Sequence, residues 1–253
     1  ANTSGGYNIA MGSSALSRNT VGSGNIALGD RALCGNISGS DNFSAGTASL
    51  LNNTTGSGNV AIGIGALNSN TVGQGNFAVG YMSAAYGTSA GFNIALGQSA
   101  LRGNCTGCNN VALGCSSLRG NTTGCNNIGI GNQAGSNTTS VDYATFIGYY
   151  AGNGAKSATY SNFIGYQAGY LATGASSSTF IGFGAGSGAI NASSSIFLGP
   201  NAGNGAINAT NSNILGNGAG YQAYGASYSN ILGNGAGYQA YNASNSNFLG
   251  QSA

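Results

Sequence analysis

The chain has 253 residues, 48 of them glycine, only 3% charged, with a net charge of +2 and no histidine. Eight scattered charges (Arg18, Asp30, Arg31, Asp41, Arg102, Arg119, Asp142, Lys156) leave no electrostatic footprint for nucleic acid, and no apolar run approaches the ~18 residues of a membrane span. With no His or Glu and only isolated aspartates, the groups that usually carry acid–base catalysis are missing, so the expectation is a non-enzyme with no cofactor and no metal site.

One glycine recurs every 17 residues along the whole chain: Gly12, Gly29, Gly46, Gly63, Gly80, Gly97, Gly114, Gly131, Gly148, Gly165, Gly182, Gly199, Gly216, Gly233 and Gly250. A strict period of this length is the signature of stacked structural repeats. The residue before each glycine is large and aliphatic except at Ala45, and a small residue usually follows three positions later. A short apolar strand, a glycine corner and a second segment make one coil, so the expected fold is all-β, a parallel β-solenoid of about fifteen 17-residue coils.

Numbering each corner glycine as position 0, the coils of residues 1–135 read N-[IVF]-A-[LIVM]-G, as in Asn25–Gly29. Large residues at −3 and −1 flank a small one at −2, a period-2 alternation expected to turn one apolar face inward. The Asn at −4, from Asn8 to Asn127, is expected to form a hydrogen-bonded ladder. The Asn-Thr-Thr-Gly type segments, such as 53–56, read as turns. From 136 to 253 the same solenoid continues with S-[NT]-[FI]-[IL]-G-x-x-A-G coils. Here −2 and −1 are both bulky, and adjacent strand residues point to opposite faces. The row Phe146, Phe163, Phe180, Phe197, Ile214, Ile231 and Phe248 is therefore expected to be an outward assembly face, the alternative being two internal rows.

Five cysteines stand at 34, 105, 108, 115 and 125. Cys108 and Cys125 share a repeat position, so a disulfide between successive coils is geometrically open to them, against two stacked thiols. Arg102 and Arg119 likewise share a position and stack like charges. Asn-x-Ser/Thr sequons recur, as at Asn36, Asn53, Asn104, Asn121, Asn191, Asn208 and Asn242. Stacked tyrosines such as Tyr149 and Tyr166 suit packing and also sugar binding.

The runs Asn8–Gly12 (NIAMG), Asn59–Gly63 (NVAIG) and Phe163–Gly169 (FIGYQAG) resemble head repeats of trimeric autotransporter adhesins and repeats of bacterial and phage tail-fibre-like proteins. That resemblance implies a β-roll on an extracellular or cell-surface fibre. No capping helix or charged edge is apparent, so the expected partners are copies of the chain itself, end to end and side by side, with glycans as a further partner. The function read from these features is a self-assembling extracellular filament, fibre or sheath. A trimeric adhesin or receptor-binding fibre segment is the alternative, and an ice-binding protein a weaker one.

Overall fold

The computed structural model describes residues 2–253. It is an all-β parallel solenoid with one three-residue strand per 17-residue coil. Two compact units divide it, one running to Asn126 and one spanning Asn127–Ala253. The first contains β1 (Ile9–Met11), β2 (Ile26–Leu28), β3 (Phe43–Ala45), β4 (Val60–Ile62), β5 (Phe77–Val79), β6 (Ile94–Leu96) and β7 (Val111–Leu113). The second contains β8 (Ile128–Ile130), β9 (Thr145–Ile147), β10 (Asn162–Ile164), β11 (Thr179–Ile181), β12 (Ile196–Leu198), β13 (Asn213–Leu215), β14 (Asn230–Leu232) and β15 (Asn247–Leu249). Within each unit the strands pair in parallel and in chain order, every residue opposite the one 17 positions on, as Ile26 with Phe43 or Phe163 with Phe180. The second unit adds a narrow ladder of isolated bridges, Lys156–Thr173–Ile190–Ile207–Tyr224–Tyr241.

All fifteen corner glycines have φ between 120° and 139°, a region that residues with a Cβ rarely enter. Stacking adds a second reason: a Cβ at Gly182 would stand 2.6 Å from the carbonyl oxygen of Gly199 on the next coil. The corner therefore brings successive backbones closer than any side chain permits.

The alternation along each strand is resolved in the opposite sense to the expected one. The −2 residue faces in and the −3 and −1 residues face out. In the first unit the inward residue is small, as in Ala27, Ala61, Ala78, Ala95 and Ala112, all fully buried. The interior is filled instead by the residue four positions after the corner: Leu33, Leu50, Leu67, Leu101 and Leu118 are at most 2% exposed. These leucines have φ of 47–51°, a conformation that costs an L-residue about 1–2 kcal/mol but is offset by complete burial of the side chain.

The second unit makes the opposite choice. The −2 row Phe146, Phe163, Phe180, Phe197, Ile214 and Ile231 is fully buried, and Phe248 is half-buried. This overturns the expectation that these seven residues form an outward assembly face. Room for them comes from glycine at +4: a Cβ at Gly186 would lie 2.3 Å from Cδ2 of Phe180. Ala at −2 with Leu at +4, and Phe at −2 with Gly at +4, are thus two ways of filling one narrow coil. The coil of β8 has glycine at both places, Gly129 and Gly135. Phe146 pairs in register with Gly129, so a phenyl ring flanks it on one side only. Its ring is tilted 57° to that of Phe163, whereas Phe163, Phe180 and Phe197 stack within 7° of parallel.

The expected asparagine ladder is present in the first unit. From Asn25 to Asn110 each Asn Nδ2 donates to the Oδ1 one coil back at 3.1–3.2 Å, Asn8 being the first acceptor. A second ladder runs through the turn asparagines: Asn36 donates to Asn19, Asn53 to Asn36 and Asn70 to Asn53 at 2.8–2.9 Å. The two converge on shared acceptors. The Gly56 carbonyl, for example, receives Nδ2 of both Asn42 and Asn53 at 2.9 Å. Four of the sequon asparagines, Asn36, Asn53, Asn104 and Asn121, are at most 1% exposed here, so their amides serve the interior. In the second unit a serine row takes over the −4 position: Ser161 Oγ accepts the Ser178 N–H at 3.2 Å and donates to the Ala175 carbonyl at 2.6 Å.

The second ladder has one gap. Gly87 stands where Asn is expected, and Asn70 Oδ1 is left buried without a partner. The same coil carries Ala90 where its neighbours carry Gly73 and Gly107. A Cβ at Gly73 would lie 2.3 Å from Asn70 Oδ1, and one at Gly107 2.2 Å from Asn104 Oδ1. The alanine methyl at 90 therefore excludes an asparagine at 87. Gly87→Asn alone is expected to destabilise by about 1–3 kcal/mol, because its Cβ would also stand 2.7 Å from the Asn104 carbonyl oxygen, and adding Ala90→Gly should recover part of that loss by letting the new amide satisfy the orphan acceptor. Urea denaturation of the two single variants and the double variant checks this, and additive effects would refute it.

Candidate interaction face

With −2 inside, the first and third residues of every strand form the outer face of the sheet. In the first unit all fourteen of these positions are apolar. Ile62, Phe77 and Ile94 are 38%, 41% and 39% exposed. None of the eight charged residues occupies an outward strand position. Successive coils lie about 4.8 Å apart, so the face is two parallel apolar rows with a fixed repeat.

In the second unit the −1 row remains aliphatic from Ile130 to Leu249, but the −3 row turns polar at Thr145, Asn162, Thr179, Asn213, Asn230 and Asn247. The last three are cross-linked on the surface, Asn213 Nδ2 donating to Asn230 at 2.9 Å and Asn230 to Asn247 at 3.0 Å. Of this unit's sixteen outward positions ten are apolar, four are asparagine and two are threonine. No strand presents Thr at both outward positions.

The aromatic ladders expected from the sequence are formed. Tyr149 stacks on Tyr166 (5.4 Å, 10°), Tyr166 on Phe183 (5.0 Å, 4°) and Tyr221 on Tyr238 (5.2 Å, 7°). Because the rings lie face to face along the stack, both faces of Tyr166 are covered. A sugar ring that stacks on an aromatic face would find only ring edges at that position.

Arg102 is held against the coil before it. Its Nη2 donates to the Tyr86 hydroxyl, and the guanidinium sits 4.8 Å from that ring's centroid, with Arg119 and Gly103 completing a shallow groove. Cys105 and Cys115 are exposed, Cys34 lies 3.2 Å from Ser17 Oγ, and Cys108 and Cys125 place their sulfur atoms 2.8 Å apart. Among the described residues no cluster of three or more His, Cys, Asp or Glu side chains is placed to hold a metal ion, and no helix is long and apolar enough to cross a membrane. Comparison with models of known protein families and with curated proteins finds no match to the chain.

The outward −1 row is legible in the sequence as its aliphatic position recurring every 17 residues, but a period-2 pattern by itself does not say which face is inside. The second asparagine ladder was missed because its members read as turn residues. The signal that marks it is their recurrence every 17 positions, as at Asn19, Asn36, Asn53 and Asn70.

Proposed function

We propose that this chain is a non-enzymatic structural protein whose solenoids pack side by side through the outer face of the sheet, building a filament, fibre or sheath. The observation that carries this reading is the uninterrupted pair of apolar rows over β1–β7. A folded protein rarely leaves so large and regular an apolar surface in water.

A second copy is the occupant that fits best. Two rows with one fixed repeat interdigitate along their whole length only with a surface of the same repeat, and the chain itself supplies one. The absence of charge on the face removes the repulsion that would otherwise keep two copies apart.

Ile62→Lys with Ile94→Lys places two cations on this face without touching the interior. The variant is expected to keep its β-sheet circular dichroism and to lose association in sedimentation velocity and electron microscopy. Wild-type protein that stays monomeric at high concentration would overturn the proposal, as would a lysine variant that assembles normally.

A further inference from the structure

We propose that Cys108 and Cys125 form a disulfide that clips two successive coils of the first unit together. Their position in the coil is one that serine occupies at Ser23, Ser40 and Ser57. There each side-chain oxygen accepts the N–H from one coil back: Gly6 to Ser23 (3.2 Å), Ser23 to Ser40 (3.1 Å) and Ser40 to Ser57 (3.0 Å). Cys125 repeats this role, its Sγ receiving the Cys108 N–H at 3.0 Å. The bond aims the Cys125 sulfur at the Cys108 residue, and the two Sγ atoms meet at 2.8 Å. The Asn126 N–H also donates to the Cys108 carbonyl at 3.0 Å, so backbone and side chain hold the pair in one register. Parallel coils about 4.8 Å apart fall within the Cα separation a disulfide spans without backbone movement.

The remaining cysteines have other surroundings. Cys34 meets Ser17, Cys105 lies 3.5 Å from the carbonyl of Gly103 in its own coil, and Cys115 lies 3.8 Å from Ser116 Oγ. Only 108 and 125 are brought sulfur to sulfur among the described residues.

The oxidant is a low-molecular-weight disulfide such as glutathione disulfide. The Cys125 thiolate attacks one sulfur of the reagent and expels a thiolate. The Cys108 thiolate then attacks the Cys125 sulfur of the mixed disulfide, forming the Sγ–Sγ bond and expelling the second thiolate. The two protons of the protein thiols end on the two released thiols. Two protein thiols are oxidised and one external disulfide is reduced.

The test treats the full chain with glutathione disulfide, traps remaining thiols with iodoacetamide under denaturing conditions without reductant, and digests with trypsin. The expected product is peptide 103–119 linked to peptide 120–156, with fragmentation placing the bridge at Cys108 and Cys125. Reductant should separate the pair and lower the thermal midpoint of the oxidised protein. Cys108→Ser and Cys125→Ser, which restore the residue used elsewhere in the row, should fold, give no linked pair and show no reductant-dependent shift. Alkylation of both Cys108 and Cys125 after oxidation would overturn the proposal. So would a bridge from Cys125 to Cys105 or Cys115, or one between chains.

Discussion

Phe180→Ala is expected to lower stability by about 3–5 kcal/mol, and adding Gly186→Leu to the same chain should recover a large part of the loss. Phe180 is fully buried, with its ring stacked 4.8 Å from Phe163 and 4.5 Å from Phe197. Truncation removes its transfer free energy and opens a cavity between two aromatic neighbours held by their own coils. Gly186→Leu by itself should also destabilise, by several kcal/mol. Its Cβ would collide with the Phe180 ring, and its φ of 62° is strained for any residue with a side chain. Together the two changes recreate the pairing the first unit already uses, Ala at −2 with Leu at +4. Leu33, Leu50, Leu67, Leu101 and Leu118 show that leucine tolerates a φ near 50° when the space across from it is empty. Equilibrium denaturation of the four proteins gives the coupling directly. If the double variant loses as much as the two single variants combined, the volume-exchange account of the two coil types is wrong.

The second large effect is expected at the asparagine ladder. Asn59 Oδ1 accepts both the backbone N–H of Asn76 at 3.0 Å and its Nδ2 at 3.1 Å. Asn59 Nδ2 donates to Asn42 Oδ1 at 3.1 Å and to the Gly73 carbonyl at 2.9 Å. Gly73 keeps a second donor, Asn70 Nδ2 at 3.0 Å, but the buried Asn76 N–H has no substitute acceptor. Asn59→Ala is therefore expected to cost about 2–4 kcal/mol, most of it from stranding that donor in an interior that water does not reach. Asn59→Ser should cost less. The serine row of the second unit shows that a hydroxyl at this position can take the N–H of the next coil, but with one O–H it cannot replace both bonds that the Asn59 amide donates. Thermal and urea denaturation should rank the variants wild type, Ser, Ala. An alanine variant as stable as wild type would show that the ladder ornaments the interior and does not support it.

The lateral-assembly proposal and the core exchange are linked through one geometric fact. Because the interior of a coil accepts one bulky group, either Leu at +4 or Phe at −2, the other large aliphatic residues of the strand have to point out. Ile26 and Leu28 flank a fully buried Ala27 for this reason. In the second unit, Ile164 and Asn162 flank a fully buried Phe163 in the same way. The outer face is a consequence of a cross-section too narrow to hold all its apolar residues.

Sequence alone determined the repeat, the strand at −3 to −1, the glycine corner and the first asparagine ladder. Each of these depends on local chemistry recurring every 17 residues: positive φ at Gly29, apolar Ile26 and Leu28, an amide at Asn25 with its copy at Asn42. Tertiary structure alone decided which face of the strand is inside. A period-2 pattern marks two faces and is symmetric between them, and the larger residues were the natural choice for the core. What breaks the symmetry is the direction in which the coil closes. That direction is set by left-handed residues after the corner, such as Arg31 and Leu33 with φ of 53° and 51°, at positions where nothing but folded packing favours such a conformation. The closing turn carries Leu33 into the interior, leaves space beside Ala27 for nothing larger than a methyl group, and so sends Ile26 and Leu28 to the surface.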